Sequence, residues 1–213
     1  MASKLEERFQ DSYNAYLLSL ASERAKPGML LDTDWSLLWW RSPEFRREEG
    51  WAWDFATSVD SSDYPVQEAK VTIVGHKISG KHSFAGDVSL PQYGVQVGAK
   101  FDREFATVIT LTGVRALTFN SGKSKYGLRE ALRALPEDER KWVDDDLLIS
   151  TSYYVSSFVA DFRTEGSASA KAKFTELGQT LGDGQLSLSW KTDHSFVADV
   201  RPDVPLFVRG IKV

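Results

Sequence analysis

The sequence predicts an α+β protein with a single domain, in which a twisted, mostly antiparallel sheet with long hairpins carries most of the chain. Two observations support this class: long stretches alternate between apolar and polar residues, and two regions show helical spacing, one at the N-terminus and one mid-chain. Alternation is typical of strands, whereas apolar residues three and four apart are typical of helices. Because no repeat or linker divides residues 1–213, we predict one domain.

The first predicted element is an amphipathic helix over residues 4–25. Its apolar residues form one stripe: Leu5, Phe9, Tyr13, Tyr16, Leu17 and Leu20. The "KPG" at 26–28 ends the helix, because proline lacks an N–H and glycine accepts a chain reversal. The stripe favours packing on a core. In the alternative interpretation the helix touches a membrane, with basic side chains facing lipid phosphates and nearby acidic residues diluting them.

Residues 29–59 predict a hairpin or two short strands and hold five of the seven tryptophans. The stretch between them, "RSPEFRREEG", is turn-prone and rich in arginine. Tryptophan beside arginine is typical of a bilayer interface. It is equally typical of a packed core beside a solvated loop, which we favour because aromatic residues are more often buried.

A long amphipathic ribbon follows, beginning with "VQVGAKFDREF" at 95–105. Its apolar odd positions are Val95, Val97, Ala99, Phe101, Phe105, Ile109, Leu111, Leu117 and Phe119. The pattern covers roughly 25 residues, against about 5–6 for an ordinary strand. A second ribbon precedes it, and "LPQYG" at 90–94 turns the chain between them. We therefore predict an antiparallel hairpin over residues 67–119.

The middle of the chain predicts two short helices, at 128–135 and 136–143, with Pro136 in the first turn of the second. The preceding "NSGKSKYG" (120–127) contains the Gly-Lys-Ser trio of phosphate-binding loops but lacks their upstream glycine, so we predict a loop. The acidic triplet 144–146 predicts a solvated helix end.

The last third predicts a second long hairpin over 147–191 and a terminal strand that reaches residue 213. "SASAKAKF" (167–174) alternates, with Ala168 and Ala170 on one side. "QLSLSW" alternates likewise, with Leu186 and Leu188 on one side. "LGDG" at 181–184 supplies the predicted turn between these two strands.

Composition and motifs exclude several classes. A net charge of −4 gives no case for nucleic-acid binding, and the absence of cysteine excludes disulfides and thiolate sites. No apolar run is long enough for a membrane-spanning helix, and the N-terminus lacks signal-peptide features, so we expect a cytoplasmic protein. We expect no catalytic site, cofactor or metal, because no metal-ligand spacing, GxSxG motif or nucleotide-binding glycine pattern is present. An enzyme, as a competing hypothesis, would need a cluster such as His76, His82 and Asp87 to converge in a cleft.

The ribbons allow two interpretations. A transmembrane strand needs about 9–11 residues with only one apolar face, provided that it closes into a barrel. Ribbons that pack on a core in water could therefore pair with neighbours in a membrane. The alternative, which periodicity alone favours, is a twisted sheet with one face in water.

The order of these elements resembles the pore-forming domain of the gasdermin family. An amphipathic helix precedes a tryptophan-rich hairpin, and two long hairpins flank a helical pair. The last strand, "VPLFVRGIKV" (204–213), and the stretch "LLISTSYYVSSFVADF" (147–162) are similar to the corresponding family strands. The resemblance spans most of the chain. It depends on the order of the predicted elements and on their general residue pattern, since no diagnostic motif is present.

The resemblance implies a membrane pore former that acts in cell death or antiviral defence. Soluble monomers would bind acidic lipids at the inner face of the cell membrane, assemble into a large homo-oligomer and insert their hairpins. The implied lipid contacts are Lys4, Arg8, Trp39, Trp40, Arg41, Arg46 and Arg47. The implied membrane-inserting positions are Val95, Val97, Phe101, Ile109, Leu111, Ala168, Ala170, Leu186 and Leu188.

Two departures from the family bear on regulation. Known members are held inactive by a C-terminal segment, whereas the last predicted strand here reaches Val213. Bacterial relatives usually carry an acylated cysteine near the start, whereas this chain contains no cysteine. We therefore expect control by a regulatory protein or a paired variant, unless the pore function is lost. The alternative function is a soluble lipid- or ligand-binding β-sheet module that does not insert.

Overall fold

The structure, a computed structural model, describes residues 15–18, 22–35, 44–69, 78–79, 88–90, 95–97, 105–112, 114–164, 169, 171, 187–199 and 201–213. Contacts divide the chain into two compact units. The core unit comprises Glu6–Lys70, Arg115–Tyr154 and Asp203–Val213, and the ribbon unit comprises Met1–Leu5, Val71–Val114 and Val155–Pro202. Every strand pair in the described parts is antiparallel, which together with the helices confirms the α+β class.

The elements have the following bounds. The strands are β1 (Tyr16–Leu17), β2 (Met29–Asp34), β3 (Glu44–Trp51), β4 (Val66–Ala69), β5 (Ile78–Ser79), β6 (Val88–Leu90), β7 (Val95–Val97), β8 (Phe105–Thr112), β9 (Arg115–Phe119), β10 (Leu147–Tyr154), β11 (Ser157–Thr164), β12 (Ser187–Thr192), β13 (Ser195–Asp199) and β14 (Phe207–Lys212). The helices are α1 (Ala52–Phe55), α2 (Ser124–Arg133) and α3 (Glu137–Arg140), with a 3₁₀ turn at Ser61–Asp63.

The core unit is built on one sheet in the order β1-β14-β10-β2-β3, with β9 also pairing to β10 and β4 to β9. Its central strands are buried on both faces. On β2, Leu30 packs in one apolar cluster with α2, whereas Met29 and Leu31 pack in a second cluster. Because alternate residues point to opposite faces, apolar residues at consecutive positions fill the core on both sides of the sheet.

The two predicted mid-chain helices are present, but the prediction of a loop over 120–127 is wrong in its second half. Helix α2 begins at Ser124, directly after a turn in which the Ser121 hydroxyl accepts from the Lys123 N–H at 3.2 Å. Leu128 and Leu132, four residues apart on one side of α2, are fully buried. The burial of this stripe stabilises a helix that the glycine-containing sequence disfavours.

The N-terminal helix predicted over 4–25 does not extend through its described residues. Tyr16–Leu17 form strand β1 on β14, and the Leu18 N–H donates to the Leu206 carbonyl at 3.0 Å. Strand β14 would otherwise present unpaired backbone groups along this edge, and β1 satisfies them. Residues 4–14 and 19–21 lie outside the described part.

Three separate strand pairs fit the first predicted hairpin. Val66 pairs with Phe119 at its base, Ile78 with Ile109 further along, and Val88 with Val97 near its tip. In the base pair and in the tip pair, the two partners lie at equal distances along the chain from a centre between residues 92 and 93. The centre of the middle pair lies one residue later.

The second predicted hairpin needs a correction. Strand β12 does not pair with β11, because β13 lies between them in a five-stranded sheet of order β12-β13-β11-β8-β5. A two-residue turn at 193–194 joins β12 to β13, and the Thr192 hydroxyl accepts from the His194 N–H at 3.1 Å. Sequence reading missed this turn because it contains neither glycine nor asparagine. The strand predicted over 167–174 is absent at its described residues, Ser169 and Lys171.

Candidate functional site

The register of the ribbon unit places apolar residues in rows across one face of its five-stranded sheet. One row runs through Leu111, Phe158, Ala198 and Leu188. A second row runs through Ile78, Ile109, Ala160, Phe196 and Trp190. Directly opposed residues share a face, so these rows form one continuous apolar face.

The positions between these rows are more polar and belong to the opposite face. One such row runs through Thr110, Val159, Val197 and Ser189. Ser189 is exposed, and the two valines are partly exposed. The register therefore assigns the apolar and the more polar positions of these strands to alternate rows.

The predicted inserting residues divide into three groups. Ile109, Leu111 and Leu188 lie in the apolar rows. Val95 and Val97 lie on β7, opposite Leu90 and Val88 in a separate two-stranded sheet. The predictions at Phe101, Ala168, Ala170 and Leu186 fall outside the described residues.

The described arginines among the predicted lipid contacts are paired with carboxylates of the same hairpin. Arg46 forms an ion pair with Asp34, and the Arg47 Nε lies 2.6 Å from Glu49 Oε1 and 3.4 Å from Asp32 Oδ2. A lipid phosphate would have to compete with these exposed pairs, each of which contributes about 0–1 kcal/mol. The predicted contacts Lys4, Arg8, Trp39, Trp40 and Arg41 lie outside the described part.

The described tryptophans of the hairpin are packed. The rings of Trp51 and Trp53 stack at 5.0 Å, and Trp35 meets Tyr16 edge to face at 6.2 Å. All three pack against the apolar clusters of the core unit and are partly buried. These three residues agree with the interpretation of the segment as a packed hairpin.

The prediction of a solvated acidic helix end over residues 144–146 is wrong at Asp146. Asp144 and Asp145 are exposed, but Asp146 is only 5% exposed. Its Oδ2 atom accepts no hydrogen bond within the described part of the chain. Burial, followed by the charges of Glu49 and Asp32, raises the pKa of Asp146 to about 7.

The backbone explains why this carboxylate is buried. Asp145 adopts a left-handed conformation with φ of 74°, and its carboxylate lies 2.6 Å from the Lys212 Nζ. The next residue then joins the end of β14: the Asp146 carbonyl accepts from the Val213 N–H at 3.0 Å. A signal was available in the sequence, since Asp146 directly precedes the apolar run "LLIS" of β10.

Within the described residues, no group of three or more histidine, cysteine or carboxylate side chains is arranged to hold a metal ion. The hypothetical enzyme cluster of His76, His82 and Asp87 falls outside them. No helix in the described part of the chain is long and apolar enough to cross a membrane. No family model matches the chain, and none of the curated proteins has a significantly similar sequence.

Proposed function

We propose that the protein permeabilises membranes by inserting β-hairpins, as the resemblance to the gasdermin family implies. The observation that supports this most directly is the pair of apolar rows on one face of the five-stranded sheet. A membrane strand needs one lipid-facing apolar side, and the opposite side can remain polar when the strands close into a barrel.

The chain connections of the ribbon unit support this proposal. Each of its two long segments starts and ends at paired strands of the core unit: β4 with β9 for the first, and β10 with β14 for the second. Either segment could extend while the core unit keeps its own strand pairs. The first segment also has the length, since its arms exceed the roughly 9–11 residues that a membrane strand needs.

The second segment would need one rearrangement. In each β11–β13 pair the two partners lie at equal distances along the chain from residue 178, from Ser157 with Asp199 to Asp161 with Ser195. If this register continued, residues 187–191 would pair with residues 165–169, directly after β11, and Thr192 would pair with Thr164 at the end of β11. Strand β12 would then leave β13, and the turn at 193–194 would straighten. Extension therefore breaks the β12–β13 pairs and retains the β11–β13 pairs.

On this proposal the partners are acidic membrane lipids and further copies of the same chain. The proposed lipid contacts are Lys4, Arg8, Trp39, Trp40 and Arg41, together with Arg46 and Arg47 once they are released from their carboxylates. The protein would reside in the cytoplasm and move to the inner face of the cell membrane, under the control of a regulatory protein or paired variant.

Two engineered disulfides test the rearrangement in a chain that has no cysteine of its own. Ser189→Cys with Val197→Cys would link β12 to β13, whereas Val159→Cys with Val197→Cys would link β11 to β13. Paired residues on neighbouring strands have Cα separations that suit a disulfide. The two variants share one position and differ only in the strand to which it is joined.

We expect the β12–β13 disulfide to abolish dye release from phosphatidylglycerol vesicles, and we expect reduction to restore it. The β11–β13 disulfide should leave release close to that of the wild type. Circular dichroism before and after reduction provides the folding control. Failure of the wild type to release dye, or equal release by both oxidised variants, would contradict the proposal.

The ion pairs of Arg46 and Arg47 favour a second candidate, the soluble lipid- or ligand-binding module that never inserts. In that case these arginines stabilise the β2–β3 hairpin, and the amphipathic sheet is an ordinary half-covered sheet. Vesicle binding without dye release, by a chain that stays monomeric, would support this candidate.

A further inference from the structure

We propose that the core unit contains a binding site for a phosphate group, formed where β9 leads into α2. The site is a cavity of about 200 Å³. A single water needs about 10–15 Å³ of such space, so the cavity has room for a phosphate and part of the molecule that bears it. This inference does not depend on membrane insertion.

The charge of the lining points to an anion. Two cations, Lys125 and Arg209, line the cavity, and none of the described lining residues is acidic. Neither cation forms an ion pair with a carboxylate in the described part of the chain. The net charge of the protein is −4, whereas the charged side chains that line this cavity are both positive.

Both cations lie near tyrosine side chains. The Lys125 Nζ lies 5.0 Å from the centre of the Tyr126 ring. Burial raises the pKa of the Tyr153 hydroxyl, and the charge of Arg209 partly offsets this effect, so that hydroxyl stays neutral and does not cancel the arginine charge. The planar guanidinium of Arg209 carries N–H donors that suit a bidentate contact with phosphate oxygens.

Several hydroxyl side chains also line the cavity. The Thr118 Oγ1 lies 3.1 Å from the Thr151 Oγ1 and donates to the Ser150 carbonyl at 3.2 Å. Ser150 is the extra residue of a bulge in the β10–β14 pairing, and its hydroxyl donates to the Arg209 carbonyl at 3.0 Å. Bulges are common beside binding sites because they change where the flanking side chains point.

The backbone around Gly122 leaves access to the cavity. A methyl group added at Gly122 would meet no atom within 4 Å, so the turn before α2 is open. The cavity therefore combines charge, hydroxyl groups and an open approach beside the start of a ten-residue helix, whose dipole favours an anion there. The "GKS" trio of the sequence lies in this turn, although without the glycine spacing of a phosphate-binding loop.

The test uses the whole chain, with Arg209→Gln and Lys125→Gln as site variants and Arg133→Gln as the matched control. Arg133 carries the same charge on the same helix α2 and does not line the cavity. Calorimetric titration with inorganic pyrophosphate measures a soluble phosphate ligand. Sedimentation with phosphatidic acid vesicles, against phosphatidylcholine vesicles, measures a lipid headgroup.

We expect each site variant to weaken binding about tenfold or more, because a hydrogen bond to a charged group contributes about 1.5–3 kcal/mol, and we expect the control to match the wild type. Binding of pyrophosphate alone would identify a soluble ligand, and binding of the vesicles alone a lipid headgroup. No binding of either by the wild type, or equal loss in the control, would overturn the proposal. Thermal unfolding verifies the fold, and Lys125→Gln, on a partly exposed helix position, gives a second variant if Arg209→Gln unfolds.

Discussion

The core unit and the ribbon unit are both antiparallel sheets, but different features fix their strand pairing. In the core unit, contacts of single residues determine the register. A Cβ on Gly210 would lie 2.5 Å from the Leu148 carbonyl, and the buried Ser152 hydroxyl donates to the Ala25 carbonyl at 2.6 Å. Such contacts fit only one alignment of the strands.

In the ribbon unit the described pairing follows from alternation. A shift of two residues keeps every side chain on its own face, whereas a shift of one reverses all of them. Within the ribbon unit, the Ile78–Ile109 pair is offset by two residues from the register of the Val88–Val97 pair, and both alignments keep the same positions on the same face. Pairing that tolerates these shifts suits segments that must re-pair, which is what the proposed function requires.

The largest expected effect comes from shortening one buried side chain of the core unit. Phe207 on β14 is 1% exposed, and Phe207→Ala should lower the free energy of unfolding by about 3–5 kcal/mol through lost burial and a cavity. Val197→Ala on β13 removes a partly exposed side chain and should cost about 1 kcal/mol. Urea denaturation monitored by circular dichroism measures both. Equal losses would show that the ribbon unit is packed as specifically as the core unit.

This comparison also explains how much the sequence could reveal. Alternation along β8 and β12 assigns apolar and polar positions to opposite faces, because a period of two is a local property. The position of β13 between β11 and β12 could not be read in the same way, because the choice of strand neighbours depends on the whole sheet. Similarly, Tyr16 and Leu17 have helical spacing, yet they form a strand because β14 offers unpaired backbone groups.

The candidate sites show the same limit. Alternation along the chain assigns Ile109, Leu111 and Leu188 to the apolar rows from local sequence alone. The phosphate cavity could not be predicted in this way, because Lys125 and Arg209 are 84 positions apart in the chain and meet only through the order of the strands. The burial of Asp146 likewise follows from the left-handed turn at Asp145 and the pairing with the end of β14, and the only signal for it in the sequence is its position directly before the apolar run of β10.

An intermediate effect, dependent on pH, is expected at Asp146. Because its pKa is raised to about 7 from the ordinary 3.8, the folded chain holds its proton at pH values where the unfolded chain has released it. Stability should therefore fall as the pH rises from about 4 to about 7. Asp146→Asn, which cannot ionise, should remove most of this fall and stabilise the chain above pH 7.

Melting temperatures across this pH range measure the effect, and Asp193→Asn provides the matched control. Asp193 is exposed, in the turn between β12 and β13 of the ribbon unit. If both substitutions altered the pH profile equally, the titration would reflect the overall charge of the chain and would not arise from the buried carboxylate of the core unit.

The smallest effect is expected at the residue that hydropathy alone would place inside. Trp142 is 71% exposed, whereas its neighbour Val143 is fully buried in the cluster that contains Leu128 and Leu132. Trp142→Ala should change the free energy of unfolding by no more than about 0.5 kcal/mol. Val143→Ala should cost about 1–2 kcal/mol, although it removes far fewer atoms. The same urea denaturation measures both losses. A larger loss at Trp142 than at Val143 would mean that side-chain size outweighs burial, and would contradict the view that contacts of single buried residues fix the core unit.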